Sequence, residues 1–155
     1  MPQLTGANYL ERRNEVVRLR PQLAFDTVVL VIDGAPQGLG VLTAVLHLML
    51  GYDARLHSAA TFGAALDRIV ERQPDLIFLA DQVPPNTAAL DALPILRRCG
   101  YQGPVVVIGA RTGKRHERAL VEAGAADVLD RDQFDTVRVS EALLKAYAPR
   151  QLAAE

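Results

Sequence analysis

The stretch that decides the fold is Pro74-Asp75-Leu76-Ile77-Phe78-Leu79-Ala80-Asp81-Gln82-Val83-Pro84-Pro85. It contains a short apolar run, an acidic residue after the run and a proline-rich exit. Such a run, bounded by turn-forming residues, is typical of a strand buried on both faces in a parallel sheet. The position of the carboxylate at its end therefore bears directly on function.

The length and composition of the chain indicate one soluble globular domain. It has 155 residues, 50% of them apolar and 23% charged, and a formal net charge of −1. This charge gives no general attraction to nucleic acid or to an anionic membrane. The single cysteine, Cys99, excludes an internal disulfide. Because there is no signal-peptide core and no apolar stretch of about 20 residues, we expect a cytoplasmic protein.

Strands and helices alternate along the chain from residue 25. Apolar runs predict strands at 27–33, 54–57, 104–108 and 127–129, and a central strand that begins at 76 and ends at 79 or 80. Apolar stripes predict helices at 38–50, 61–69, 88–98, 112–123 and 134–147. Crossovers of this length force parallel strands with right-handed connections. We therefore expect a doubly wound, three-layer α/β domain over residues 25–148, with a C-terminal tail at 149–155.

Residues 1–24 stand apart from this alternation. They contain helix-forming residues with a modest apolar stripe, and Pro21 should end the helix. This N-terminal extension is either a loosely attached, solvated helix or an additional dimerisation or docking element.

Four fragments resemble one protein family in their order and spacing: Val31-Ile32-Asp33, Pro74 to Leu79, Pro104 to Val107 and Gly124 to Asp127. Over residues 25–148 the chain resembles the receiver domain of two-component response regulators. The resemblance implies the flavodoxin-like (βα)5 fold, with strand order 2-1-3-4-5.

The resemblance also implies a phosphorylation site at the carboxyl ends of the strands. In receivers, two acids after the first strand hold Mg²⁺ and an aspartate after the third strand takes the phosphoryl group. A Ser or Thr after the fourth strand and a lysine after the fifth bind the phosphoryl oxygens. Hard oxygen ligands for the metal and compensating charge for the phosphoryl group are the physical requirements.

This chain departs from the family pattern at most of these positions. The acid pair is Asp33-Gly34, the hydroxyl position is Gly109, and the lysine position is Arg131. Arginine keeps the charge, but its planar fork differs from a compact ammonium. One metal-holding carboxylate and one hydrogen-bond donor are thus missing.

Two registers compete for the phosphoacceptor position. The usual four apolar residues separate Ala80 from Pro-Asp, and Pro84 lies four residues beyond it. Asp81 is one residue later and has Pro85 four residues beyond. A shift by one residue turns a strand's side chain to the opposite face. Both spacings favour Ala80, which would leave the site without an acceptor.

Three functions follow from these observations. The first is a stand-alone, degenerate receiver that binds a histidine kinase, another signalling protein or itself, without phosphorylation, cofactor or enzymatic activity. The second is a working response regulator with Asp81 as phosphoacceptor and Asp33 as Mg²⁺ ligand. The third is a small nucleotide-binding α/β protein that uses the glycine-rich turn at 33–40.

A basic cluster marks the start of the fourth helix of the domain. It consists of Arg111, Lys114, Arg115, His116 and Arg118, and its four permanent cations are the candidate partner-binding residues. It is either a solvated face or a docking surface for a protein partner. Nucleic-acid binding is not expected, since no DNA-binding module is recognisable and aromatic residues are scarce.

Overall fold

The computed structural model describes residues 27–34, 40–50, 54–109, 113–131 and 135–154. The N-terminal extension at 1–24 lies outside these ranges. The strands and helices within them are β1 (Val28–Ile32), α1 (Gly40–Leu50), β2 (Arg55–Ala59), α2 (Phe62–Glu71), β3 (Leu76–Ala80), β4 (Gln82–Val83), β5 (Thr87–Ala88), α3 (Ala89–Arg98), β6 (Val105–Gly109), α4 (Lys114–Glu122), β7 (Asp127–Asp130) and α5 (Thr136–Ala154). None of these helices is both long and apolar enough to cross a membrane.

Five of the strands form one parallel sheet in the order β2-β1-β3-β6-β7. Numbered within this sheet alone, the order is 2-1-3-4-5, which confirms the predicted doubly wound, flavodoxin-like fold. The remaining strands, β4 and β5, form a separate two-stranded antiparallel ladder.

The core lies on both faces of the sheet. Every residue of β1, β3 and β6 is buried. One apolar cluster joins the sheet to α1 and α5 through residues such as Val31 and Phe78, and the other joins it to α2, α3 and α4 through residues such as Ile32 and Leu79. The central strands read as continuous apolar runs because both of their faces are covered.

The predicted helix signals are largely found in the structure. Thr61 caps α2, since its Oγ1 accepts a hydrogen bond of 3.2 Å from the Ala64 N–H. Gly124 follows α4 with φ of +117°, a left-handed conformation that suits glycine after a helix. Pro94 lies inside α3. The predicted cap Thr112 is outside the described residues, and Gly113 precedes the first residue of α4.

Some element boundaries differ from the prediction. Strand β2 begins at Arg55 and continues to Ala59, two residues beyond the predicted end. Helix α5 continues to Ala154, past the tail boundary expected at 148. The prediction ended this helix at Tyr147, although the Gln-Leu-Ala-Ala sequence near the end of the chain has good helix formers. The β4–β5 ladder was not predicted, because two-residue strands are too short to show a period.

Asp75 explains why Pro-Asp precedes the central strand. Its Oδ2 accepts a hydrogen bond of 2.8 Å from the Val28 N–H, and its own N–H donates to the Val28 carbonyl at 2.7 Å. Asp75 therefore ties the start of β3 to the start of β1, which satisfies polar groups at the amino ends of both strands.

A network of charged hydrogen bonds attaches α5 to the edge strand β7. Arg138 donates to both carboxylate oxygens of Asp127, at 2.7 and 3.0 Å, and to the Val128 carbonyl at 2.9 Å. Lys145 lies 3.5 Å from the same carboxylate, but its side chain is 59% exposed. The Asp127 side chain is only 9% exposed, so it depends on Arg138 for charge compensation.

The same network lowers the pKa of Asp127. Burial alone would raise this pKa, but the hydrogen bonds from Arg138 and from the Val128 N–H, with the positive charges of Arg138 and Lys145, outweigh burial. In the other direction, the hydrogen bond to Asp127 raises the pKa of Arg138. The ion pair therefore contributes stability above the ordinary carboxyl pKa of about 4, which is lost as pH falls through the lowered, folded-state pKa.

Replacing Arg138 by Met should lower the free energy of unfolding at pH 7 by about 3 kcal/mol, because a buried carboxylate loses its partner. The matched variant Lys145→Met removes the same charge from an exposed position and should cost less than about 1 kcal/mol. Urea titrations would measure both values. The difference between wild type and Arg138→Met should shrink only below about pH 4. A difference that already disappears at pH 6 would contradict the role given to Asp127.

Candidate functional site

The carboxyl ends of the strands bring together the site residues predicted from sequence. Asp33 follows β1, Ala80 ends β3, Gly109 ends β6 and Arg131 follows β7. The parallel ladder continues at this edge through two hydrogen bonds of 3.0 Å, from the Asp33 N–H to Ala59 and from the Asp81 N–H to Ile108. The four residues at the strand ends and Asp81 therefore lie at one edge of the sheet, which is where ligands bind in doubly wound sheets.

Arg131 reaches across this edge to Asp33. Its Nη2 atom lies 2.6 Å from Asp33 Oδ2, and the side chains are 31% and 5% exposed. Strands β3 and β6 lie between β1 and β7, so the backbones are about 14 Å apart at ordinary strand spacing. The Arg131 side chain therefore lies over the ends of the two intervening strands. Its N–H donates to the Gly109 carbonyl at 2.8 Å, which fixes the base of the side chain.

The strand register separates Asp81 from Asp33. Ile32 pairs with Leu79 across the sheet, so the next residues of the two strands, Asp33 and Ala80, lie side by side in one row across the strands. Asp81 stands one row further, and successive residues of a strand point to opposite faces. Consistent with this, a Cβ atom added to Gly109 would lie 3.5 Å from the Asp81 Cβ and 3.8 Å from its Oδ2.

Pro84 occupies the space beside Gly34. A Cβ atom added to Gly34 would lie 2.6 Å from both the Cγ and the Cδ atoms of the Pro84 ring. The ring cannot rotate away like the end of a flexible side chain, and the Pro84 carbonyl accepts a hydrogen bond of 3.0 Å from the Phe62 N–H. Any side chain at position 34, including a second metal-holding acid, would therefore require the β4–β5 turn to move.

The residues present do not fit the Mg²⁺ site that the receiver resemblance implies. Asp33 is ion-paired with a guanidinium, Gly34 has no carboxylate and no room for one, and Ala80 has no ligand atom. Across the described ranges, no group of three or more His, Cys, Asp or Glu residues is arranged to hold a metal ion. Mg²⁺ requires an oxygen-rich site, and here a cationic side chain stands next to the acid that would bind it.

The other predicted site residues are placed only in part. Lys114, Arg115 and Arg118 are exposed on α4. Arg111 lies outside the described residues, as does most of the glycine-rich turn proposed for nucleotide binding. Cys99 is exposed at the end of α3 and has a free thiol.

Two features of the site were missed in the sequence. The contact between Pro84 and Gly34 joins residues 50 positions apart, and only the Pro-Pro pair hinted that the loop has a fixed shape. The ion pair between Arg131 and Asp33 could have been suspected, because arginine is longer than lysine and Ala80 leaves space between them.

Gly34→Ala should destabilise the protein by about 1–3 kcal/mol, because the new methyl group overlaps the Pro84 ring. Gly63→Ala is the matched control, since nothing lies within 4 Å of an added Cβ there. Gly63 is in α2, so this control should be neutral or stabilising by up to about 1 kcal/mol. Thermal or urea unfolding would give both values. Equal stability of Gly34→Ala and wild type would show that the turn moves freely.

Arg131→Met should lower the free energy of unfolding by about 1.5–3 kcal/mol, because it removes the charge-assisted hydrogen bond of 2.6 Å to the buried Asp33 carboxylate. The double variant Asp33→Asn/Arg131→Met should cost less than the sum of the two single changes, by about 0.5–3 kcal/mol. The exposed Arg98→Met is the control and should stay within about 0.5 kcal/mol of wild type. Strict additivity in the double variant would argue against the ion pair.

Comparison with solved structures places this architecture among receiver domains. The receiver domain of the Francisella response regulator 1452 superimposes with a TM-score of 0.65 at 18% identity, covering 81% of this chain and 99% of that one. A two-component response regulator from Clostridium difficile gives 0.66 at 20% identity, with coverages of 81% and 98%. The receiver domain of NarL from Mycobacterium tuberculosis gives 0.61 at 21%, with coverages of 77% and 94%.

No protein-family model and no curated protein sequence matches the chain. At 18–21% identity, the structural likeness concerns the fold. The chain thus has the receiver-like fold that its sequence fragments resemble.

Proposed function

We propose that this protein is a degenerate receiver that acts as a protein-interaction module in two-component-type signal transduction, without phosphorylation and without enzymatic activity. The receiver-like fold supports the signalling context. The arrangement of side chains at the carboxyl edge of the sheet supports the loss of the phosphorylation switch.

The observation that carries this proposal is the 2.6 Å ion pair between Arg131 and Asp33. A receiver needs an acid at this position to hold Mg²⁺ and a separate cation to bind the phosphoryl group. Here the cation that would bind the phosphoryl group neutralises the acid that would hold the metal. The Arg131 guanidinium and the Asp33 carboxylate neutralise each other, so this pair of charges does not require a bound metal ion or phosphoryl group.

The geometry around the ion pair supports the same conclusion. Ala80 cannot accept a phosphoryl group, and Asp81 stands in the row of Gly109, away from that of Asp33. Losing even one preorganised donor costs about 2.7–4 kcal/mol in transition-state stabilisation. This chain lacks the second acid, the hydroxyl and, in the register of the sheet, the acceptor, so efficient phosphoryl transfer is not expected.

Output from such a module would come from contacts with partners. The exposed cations Lys114, Arg115 and Arg118 of α4 suit an acidic surface on a histidine kinase, another signalling protein or a second copy of the chain. Complementary charge of this kind mainly increases the association rate and selects among partners. We propose no cofactor and no nucleic-acid partner.

The proposal is tested by offering the protein the reagents that activate receivers. The protein is incubated with Mg²⁺ and acetyl phosphate, or with Mg²⁺ and beryllofluoride, and intact mass and amide spectra are recorded. We expect no phosphoryl adduct and no change in the amide signals of residues 33, 81, 109 and 131. The same reagents without Mg²⁺ serve as the control for non-specific acylation or fluoride effects.

Asp81→Asn distinguishes the competing function. A stoichiometric, Mg²⁺-dependent adduct on wild type that is absent from Asp81→Asn would establish Asp81 as a phosphoacceptor and overturn our proposal. If Asp81→Asn is labelled as strongly as wild type, and Mg²⁺ does not increase the labelling, the adduct is non-specific. This result would support an inactive pocket.

A further inference from the structure

A basic cleft lies at the opposite end of the sheet from the receiver-like pocket. It opens between the edge strand β2 and the C-terminal half of α2, near the amino ends of the strands, and has a volume of about 240 Å³. Its lining combines buried apolar residues of the sheet with exposed charged residues from β2 and from the end of α2. We name it the β2–α2 cleft.

Two residues of the lining, Arg55 and His57, come from the edge strand β2. Arg55 pairs with Val28 and His57 with Leu30, and residues paired in this way point to the same face of a parallel sheet. That face is covered by α2 further along, where Ala59 of the same strand is buried. Arg55 and His57 themselves are exposed, so β2 presents a guanidinium and an imidazole to the cleft.

Helix α2 adds more positive charge from the other side. Arg68 and Arg72 line the cleft together with one acid, Glu71, and all three side chains are exposed. Cations at the C-terminal end of a helix are favoured by its dipole, which explains Arg68 in the last turn of α2 and Arg72 directly after it. It does not explain why Arg55 and His57 face them from the strand.

The floor of the cleft has a different character from its rim. Val28, Leu30 and Pro74 are buried and apolar. A purely inorganic anion would satisfy the arginines but leave this floor unused. A compact molecule that joins an anionic group to an apolar or aromatic body would use both surfaces, as small-molecule sites generally do.

We infer that the β2–α2 cleft binds a phosphate monoester carried on a compact aromatic group, of about the size of a mononucleotide. Guanidinium groups bind phosphate oxygens through paired, charge-assisted hydrogen bonds and also stack on aromatic rings. Arg55 and Arg68 would hold the phosphate from opposite walls, and the ring would lie on the floor at Leu30 and Pro74. This site is separate from the pocket at the carboxyl edge of the sheet, so a failure of the binding test would leave the proposed function unaffected.

Adenosine monophosphate is the probe, added to isotopically labelled protein while amide signals are followed. We expect saturable shifts at residues 55–57 and 68–72, with a dissociation constant below about 1 mM. Ribose 5-phosphate and inorganic phosphate should bind at least about tenfold more weakly, and adenosine should cause no shifts at these residues. Phosphate binding as tightly as the nucleotide would overturn the aromatic part of the inference.

Variants of exposed arginines test the assignment without disturbing the core. Arg55→Met and Arg68→Met should each weaken binding of adenosine monophosphate by about tenfold, because each removes a charge-assisted contact. Arg98→Met removes the same charge from α3, outside the cleft, and should leave the affinity unchanged. The absence of shifts up to about 5 mM probe, shifts confined to the turn after β1, or unchanged affinity in Arg55→Met would each overturn the inference.

Discussion

The carboxyl edge of the sheet depends on the ion pair between Arg131 and Asp33. The Asp33 side chain is 5% exposed, and a carboxylate buried to this extent requires charge compensation and hydrogen bonds. In a metal-dependent pocket the compensating cation comes from solvent and can leave. Here it is part of the chain and reaches the acid across two strands, so the charge balance of the pocket is fixed when the protein folds.

Charged contacts also hold both ends of the edge strand β7. Arg131 follows its last residue and binds Asp33, while Asp127, its first residue, binds Arg138 of α5. A four-residue edge strand has little backbone pairing of its own, since only β6 adjoins it. The two arginine–carboxylate bonds therefore connect a short edge element to the first strand on one side and to the last described helix on the other.

The sequence was sufficient for the layout of the domain but not for the contacts that decide its chemistry. Uninterrupted apolar runs such as Val28–Ile32 reveal a strand covered on both faces, and Gly124 reveals a helix end, because both signals are local. The overlap between Pro84 and Gly34, the reach of Arg131 and the cleft beside Arg55 depend on backbone positions far apart in sequence. Distances of a few tenths of an ångström decide such contacts, and periodicity carries no information about them.

The packing of Pro84 against Gly34 restricts how this pocket could change over successive generations. An acid introduced at position 34 meets the proline ring at once, and replacing the ring first alters a turn whose carbonyl accepts from Phe62 at the start of α2. We therefore expect an acid at position 34 to be destabilising while Pro84 is present, and a replacement of Pro84 to disturb the turn while Gly34 is present. A two-carboxylate pocket would thus need a permissive change in the loop before the acid could be introduced, so the order of substitutions matters as much as their identity.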